Sequence, residues 1–181
     1  MARHGSRPDL DDYFLDIAAV VAHRSTCVAR QVGAVAVVDR HLLATGYNGV
    51  PRGVPHPTTC LRRERGLPSG VDTFLCGCVH AEMNIIAQAA FHGTSLRGAT
   101  VYCTNQPCHL CAMLLINAGV VRVVYSHPYP DEAAVRLFEQ AGVALEGKDD
   151  GAVSGGDPSG GRPEGNGVNL AADARAGKRS P

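Results

Sequence analysis

The stretch "VGAVAVVDRHLLATGYN" at residues 32–48 decides the fold. Residues 32–39 are a β-branched apolar run, which reads as a strand buried on both faces. Residues 41–48 follow closely enough to be the hairpin partner of that strand. Upstream, Leu10, Phe14, Ile17, Ala18 and Val21 recur at helical spacing within 10–24. Downstream, residues 49–79 are rich in Pro, Gly, Thr and Cys and read as a long irregular insertion, which compact domains seldom keep without a reason. Helical periodicity returns over 81–92. A strand at 98–105 follows, then a helix at 108–119 with Pro107 before it and Gly119 at its end. Residues 120–126 read as a strand, 131–142 as a helix and 143–147 as a short last strand. The order α-β-β-α-β-α-β-α-β predicts an α/β fold, a three-layer α-β-α arrangement around a five-stranded mixed sheet. This assigns a domain to 1–146 and leaves 147–181, rich in Gly, Pro and Asp, as a disordered tail.

Composition narrows the function. Formal net charge is +0, which argues against a broad nucleic-acid surface. No run of eighteen apolar residues predicts a membrane span. The first residues lack the apolar segment of a signal peptide, so a cytoplasmic protein is expected. In a reducing compartment the seven cysteines are not a disulfide framework. They are metal ligands, a reactive thiol or small buried apolar groups.

Two fragments carry the chemistry. "HAEMN" (80–84) and "PCHLC" (107–111) each fall where a loop hands over to a helix. Cys108 and Cys111, three apart, share a helix face. With His80 they form a three-ligand N/S set of the kind zinc takes tetrahedrally, leaving a fourth position for water. Glu82 is close enough in sequence to reach that water without ligating the metal. Taken singly, His80 also reads as a helix-start polar group, and the Cys pair as packing, a redox pair or a structural zinc site. The joint pattern His-x-Glu with Pro-Cys-x-x-Cys matches the signature of zinc nucleobase deaminases, in which the metal activates water and the glutamate shuttles its proton to the ring.

Longer stretches make the resemblance closer. Residues 24–56, containing "GYNGVPRGVPH", together with 80–93 and 111–143, resemble the deoxycytidylate (dCMP) deaminase family, especially its bacterial late-competence ComE-operon type. The resemblance covers about residues 10–146. It implies a cytidine deaminase-like sheet between helices and hydrolysis of dCMP to dUMP. By the same resemblance His80, Cys108 and Cys111 are the catalytic zinc ligands and Glu82 the proton shuttle. Ala81 matches the position whose backbone N–H bonds the pyrimidine carbonyl. Asn48 corresponds to a residue holding sugar and ring, and equally reads as an Asn-Gly turn. Arg24 reads as a phosphate contact or a solvated helix-end arginine. Tyr125 reads as a neighbour of the base or a core residue. Two departures stand out. Gln31 replaces a usual basic residue, and Asn105–Gln106 replace the usual apolar or aromatic lead into "PC". Buried amides there would discriminate among rings, so Gln106 is a candidate substrate contact.

The family resemblance also implies a second, structural zinc in some members. Cys27, Cys60 and Cys78 match its ligand positions, and Cys76 is the natural fourth. The competing reading has Cys27 buried and the others incidental. Cys103, in a strand, reads as packing. The family further implies a homo-oligomer (hexamer or dimer) and a deoxynucleoside triphosphate effector, with no membrane or nucleic-acid partner. Two other functions fit less directly: a deaminase of a modified cytosine nucleotide or another heterocycle, and a non-catalytic nucleotide-binding protein on the same fold.

Overall fold

The computed structural model describes residues 7–68, 71 and 75–148; of the tail expected at 147–181, Gly147 instead ends the last strand and Lys148 pairs with Asp9 and Asp12, and the rest lies outside the described residues. The elements are α1 (Leu10–Ala22), β1 (Gly33–Val38), β2 (His41–Tyr47), α2 (Leu61–Glu64), α3 (Ala81–His92), β3 (Thr100–Asn105), α4 (His109–Asn117), β4 (Arg122–His127), α5 (Glu132–Gln140) and β5 (Ala144–Gly147). Together they form a five-stranded sheet of order β2-β1-β3-β4-β5. β1 is antiparallel to both β2 and β3, whereas β3, β4 and β5 run parallel. The expected mixed sheet is therefore present. The one addition is α2, a four-residue helix inside the insertion with no buried side chain.

The hairpin forms because 32–48 can meet both demands of a buried strand pair. All but the last residue of β1 are buried, as a strand covered on two faces requires. Asp39 and Arg40 adopt φ of 49° and 66°. Two successive left-handed residues make the two-residue turn whose twist suits adjacent strands. A register shift between Ala36 and Val37 places a bulge in β2, adding local twist.

Alternation along the strands gives two cores. On one face, Val35, Val37, Tyr102 and Val124 pack beneath Phe14, Leu15 and Ala18 of α1. On the other, Ala34, Ala36, Val101, Cys103 and Val123 pack beneath α3, α4 and α5, through residues such as Ile85, Leu115 and Phe138. Small residues set the layer spacing. A Cβ on Gly33 would lie 2.5 Å from the Ala22 nitrogen of α1. A Cβ on Gly46 would strike the Ala81 carbonyl oxygen and lie 2.8 Å from the Ile85 nitrogen of α3. On the α1 face a polar clasp closes the edge. Arg122 donates to both Asp11 oxygens at 2.8 and 2.7 Å and to Glu146 at 2.9 and 2.6 Å, and Tyr102 Oη donates to Asp11 at 2.9 Å. Lys148 reaches back to Asp9 and Asp12.

Topology selects one end of the sheet for the site. Because β1 opposes both neighbours, β2, β3 and β4 all point the same way. The loops that follow them, 48–80, 105–108 and 127–131, therefore emerge together, where ligands of open α/β sheets bind. The insertion is pinched at its base. Gly49 N–H donates to Val79 O at 3.1 Å and Val79 N–H to Gly49 O at 2.8 Å, which returns the chain to place His80 beside the end of β2.

Candidate metal centre

His80 and Cys108 are the N-cap residues of α3 and α4, and neither makes a side-chain cap bond. Extended backbone at both positions turns the side chains away from their own helices and toward each other. His80 Nδ1 lies 3.5 Å from Cys108 Sγ and 3.3 Å from Cys111 Sγ, and the two sulfurs are 3.6 Å apart. A tetrahedral zinc with Zn–S of about 2.3 Å and Zn–N of about 2.05 Å requires ligand-ligand edges of about 3.6–3.8 Å. The triangle fits that ion to within a few tenths of an ångström. It leaves the fourth vertex to a non-protein ligand, the arrangement of a catalytic rather than a closed structural site.

The electrostatics agree. Cys108 is held down at about 4, first by its hydrogen bond with Cys111 and then by His80. Cys111 is driven up by that same hydrogen bond and by burial. His80 is raised chiefly by its bond to the Cys108 sulfur. These groups hold protons against one another, and a divalent cation at the centre would displace them. The two helix N-termini add positive potential where the thiolates lie.

Glu82 sits two residues into α3, 4% exposed. Burial pushes its carboxyl above the ordinary carboxylate range, partly opposed by its own backbone N–H and the charge of His80. A carboxyl so placed is suited to accept and return a proton. Ala81, fully buried, offers one of the first N–H groups of α3, which have no intrahelical acceptor.

The other sequence candidates divide. Asn48 is not in a hairpin turn. Its Oδ1 accepts from Val32 N–H at 2.8 Å and Ser25 Oγ at 2.6 Å, and its Nδ2 donates to Arg30 O at 2.8 Å. Its amide thus pins the 25–32 loop to the end of β2. Gln106 is buried, and its Oε1 accepts from Tyr129 N–H at 3.5 Å. Arg24 is exposed just beyond α1. Tyr125 packs at the margin of the three-helix core, its hydroxyl over Gly147 of β5.

Three of the four remaining cysteines converge. The sulfur atoms of Cys27, Cys76 and Cys78 lie within 4.8 Å of one another. Cys60, the N-cap of α2, stands outside that trio, near enough for its charge to act on Cys78. Cys27 is lowered to about 5, first by its bond with Cys76, which is raised in turn, and burial raises Cys78 to about 11. Cys103 is fully buried, as a packing residue is. All seven cysteines are free thiols. The residue that sequence reading missed is Asp131. An Asp before a helical run signals an N-cap, but its bond to α4 has no sequence signal.

A mixed sheet that brings three N/S ligands and a buried carboxyl to two helix starts defines an α/β metalloprotein of the zinc-hydrolase type. The chain belongs to the cytidine and deoxycytidylate deaminase zinc-binding region family, whose model matches residues 8–127. It is 45% identical over 125 residues to the deoxycytidylate deaminase of Mycobacterium phage D29, covering 66% of this chain and 96% of the phage protein. It is 38% identical over 143 residues to ComE operon protein 2 of Bacillus subtilis, covering 75% and 69%. To the deoxycytidylate deaminase of Saccharomyces cerevisiae it is 37% identical over 145 residues, covering 77% of this chain and 45% of the yeast protein, so it spans under half of that relative's length. Among solved structures, the dCMP deaminase of cyanophage S-TIM5 in complex with dCMP and dUMP superposes with a TM-score of 0.67 at 28% identity, over 80% of this chain and 100% of the phage chain.

Proposed function

We propose that this chain is a zinc-dependent hydrolase that converts dCMP and water to dUMP and ammonia. The observation that carries the reading is the 3.3–3.6 Å triangle of His80, Cys108 and Cys111 ligand atoms with Glu82 buried beside it. Zinc held by His80, Cys108 and Cys111 would supply Lewis acidity that lowers the pKa of a water to about 7. The Glu82 carboxyl is assigned to accept a proton, deliver it to the ring nitrogen and pass a proton to the departing amine. The Ala81 N–H donates to the pyrimidine carbonyl and fixes the ring. Arg24 and Tyr125 are assigned to the phosphate and base sides of the substrate. Relatives named deoxycytidylate deaminase and the dCMP/dUMP complex support dCMP as substrate.

The Cys27, Cys76 and Cys78 trio is assigned to a second, structural zinc, with Cys60 as fourth ligand after a shift of α2. It would hold the insertion in place by adding metal-binding free energy to folding. The exposed Leu110, Met113 and Leu114 on the outer face of α4 support a homo-oligomer, and free thiols throughout support a cytoplasmic setting. Residues 1–146 are assigned to the catalytic domain.

The buried Gln106 amide favours a second reading, a modified cytosine ring. An ammonia-release screen of purified protein across cytosine, cytidine, dCMP, dCTP and ring-substituted analogues decides. Turnover of dCMP above all others supports the first reading, and turnover of a substituted ring with none on dCMP replaces it.

A further inference from the structure

The helix that carries both sulfur ligands begins without a cap of its own. Cys108, at the N-cap of α4, makes no side-chain cap bond, because its sulfur is turned toward His80 and the Cys111 sulfur. The first N–H groups of a helix need acceptors, and an N-cap Ser or Asp would ordinarily provide one. Here the acceptor comes from a different element. Asp131 Oδ2 accepts the backbone N–H of His109, the first residue of α4, at 2.9 Å. Its Oδ1 accepts Ala134 N–H at 3.0 Å as the N-cap of α5. The same carboxyl lies 3.4 Å from His109 Nδ1 and is only 14% exposed. Burial would raise it, but the bonds from His109 and Ala134 hold it below the ordinary carboxylate range, so it is a carboxylate with both oxygens engaged.

The loop that bears Asp131 also holds the chain on the other side of Cys108. Gln106 N–H donates to His127 O at 2.8 Å, and Tyr129 N–H donates to Gln106 Oε1 at 3.5 Å. Residues 127–131 thus grip residue 106 and residue 109, with the sulfur ligand between them.

We propose that Asp131 is a positioning residue for the metal centre: it caps α4 in place of Cys108 and so leaves the Cys108 sulfur free to face the ion. It touches neither the metal nor the reacting atoms. Asp131 fixes the His109 peptide, and that peptide fixes the direction of the Cys108 side chain. The proposal rests on the assignment of His80, Cys108 and Cys111 as zinc ligands. Groups that hydrogen-bond a metal ligand directly typically change metal affinity ten- to a hundredfold; Asp131 acts through the His109 peptide, which makes that range the upper bound.

The test is zinc release from the full chain, titrated with a competing chelator. The release step that is missing in His80→Ala belongs to the three-ligand site. Asp131→Ala should weaken that step, by at most roughly ten- to a hundredfold. Asp131→Asn keeps the shape and one carbonyl acceptor, and should weaken it by less; it also carries the test if the alanine variant does not fold. Gly142→Ala is the control. Gly142 has φ of 68° beyond the C-terminus of α5, so the substitution loosens the same helix from its far end and should leave the release step in place. Asp131 variants that hold zinc as the parent does would overturn the proposal, as would an equal shift in Gly142→Ala. If His80→Ala removes no release step, the zinc assignment itself fails and the proposal falls with it.

Discussion

Gly46→Ala is the substitution in which fold and chemistry can be separated by magnitude. Gly46 lies in β2 directly under the first turn of α3. An added Cβ would strike the Ala81 carbonyl oxygen and sit 2.8 Å from the Ile85 nitrogen. Both obstacles are helix backbone, and real Cβ atoms stay beyond 3.0 Å, so α3 must lift. The shift needed at Ala81 is on the order of half an ångström or more, and a displacement near 1 Å in a catalytic constellation costs about a hundredfold. Ala81 stands between His80 and Glu82, so the displacement falls on the residues proposed as zinc ligand and proton shuttle. We expect kcat/KM on dCMP to fall between about ten- and a hundredfold, with a stability loss of about 1–3 kcal/mol from overpacking. The matched variant is Gly33→Ala, whose Cβ meets the backbone of α1 at Ala18 and Ala22 on the opposite face. It should cost similar stability and little activity. Steady-state kinetics and thermal unfolding on both variants provide the comparison. Equal activity losses at equal stability losses would refute the view that β2 sets the height of α3 and thereby the site.

Glu82→Gln should keep zinc and bind dCMP while kcat falls by about 10²–10⁴-fold, read from initial rates and metal content on one sample. Phe138→Ala empties a fully buried ring position between α5 and the sheet and should lower stability by about 3–5 kcal/mol, measured by denaturant unfolding. Asp11 is held below its usual range first by its hydrogen bond with Arg122. Its folded-state pKa is therefore depressed, and the stabilisation is present above the unfolded value of about 3.9 and lost as pH falls through the folded value. The Tm difference between parent and Asp11→Asn should be constant from about pH 5 to 7 and shrink toward zero below about pH 4. Replacing Cys76 with Ser should lower the zinc content per chain and expose the insertion to proteolysis, seen by mass spectrometry of a limited digest.

The parts of the molecule visible in the sequence are those where one physical demand dominates a segment. β1 is apolar at successive positions because both its faces are covered, and α3 ends at Gly93, which takes a left-handed φ of 67°. The His80, Cys108 and Cys111 set was legible because N/S side chains at two helix starts, which fit a zinc site, have few other uses in combination. α2 was not, since four residues with no buried side chain leave no periodic trace. The hairpin was legible from the two apolar runs that flank it, and Asp39 suits a left-handed turn position, whereas Arg40 at φ 66° gives no such signal. The sequence marks Asn48 as a polar residue at the end of β2, but not its bonds to Val32, Ser25 and Arg30. Contacts of that kind join segments distant in sequence, as does the Asp131–His109 bond. Local spacing carries no record of them.

Stoichiometry tests the central claim most directly. Purified protein of measured zinc content, supplied with dCMP alone, should release one ammonia for each dUMP formed, and Cys108→Ala should lose the zinc of the three-ligand site and the turnover together. A parent protein that carries zinc on His80, Cys108 and Cys111 but releases no ammonia from dCMP, or a Cys108→Ala that lacks that zinc yet turns over dCMP at the parent rate, would contradict it.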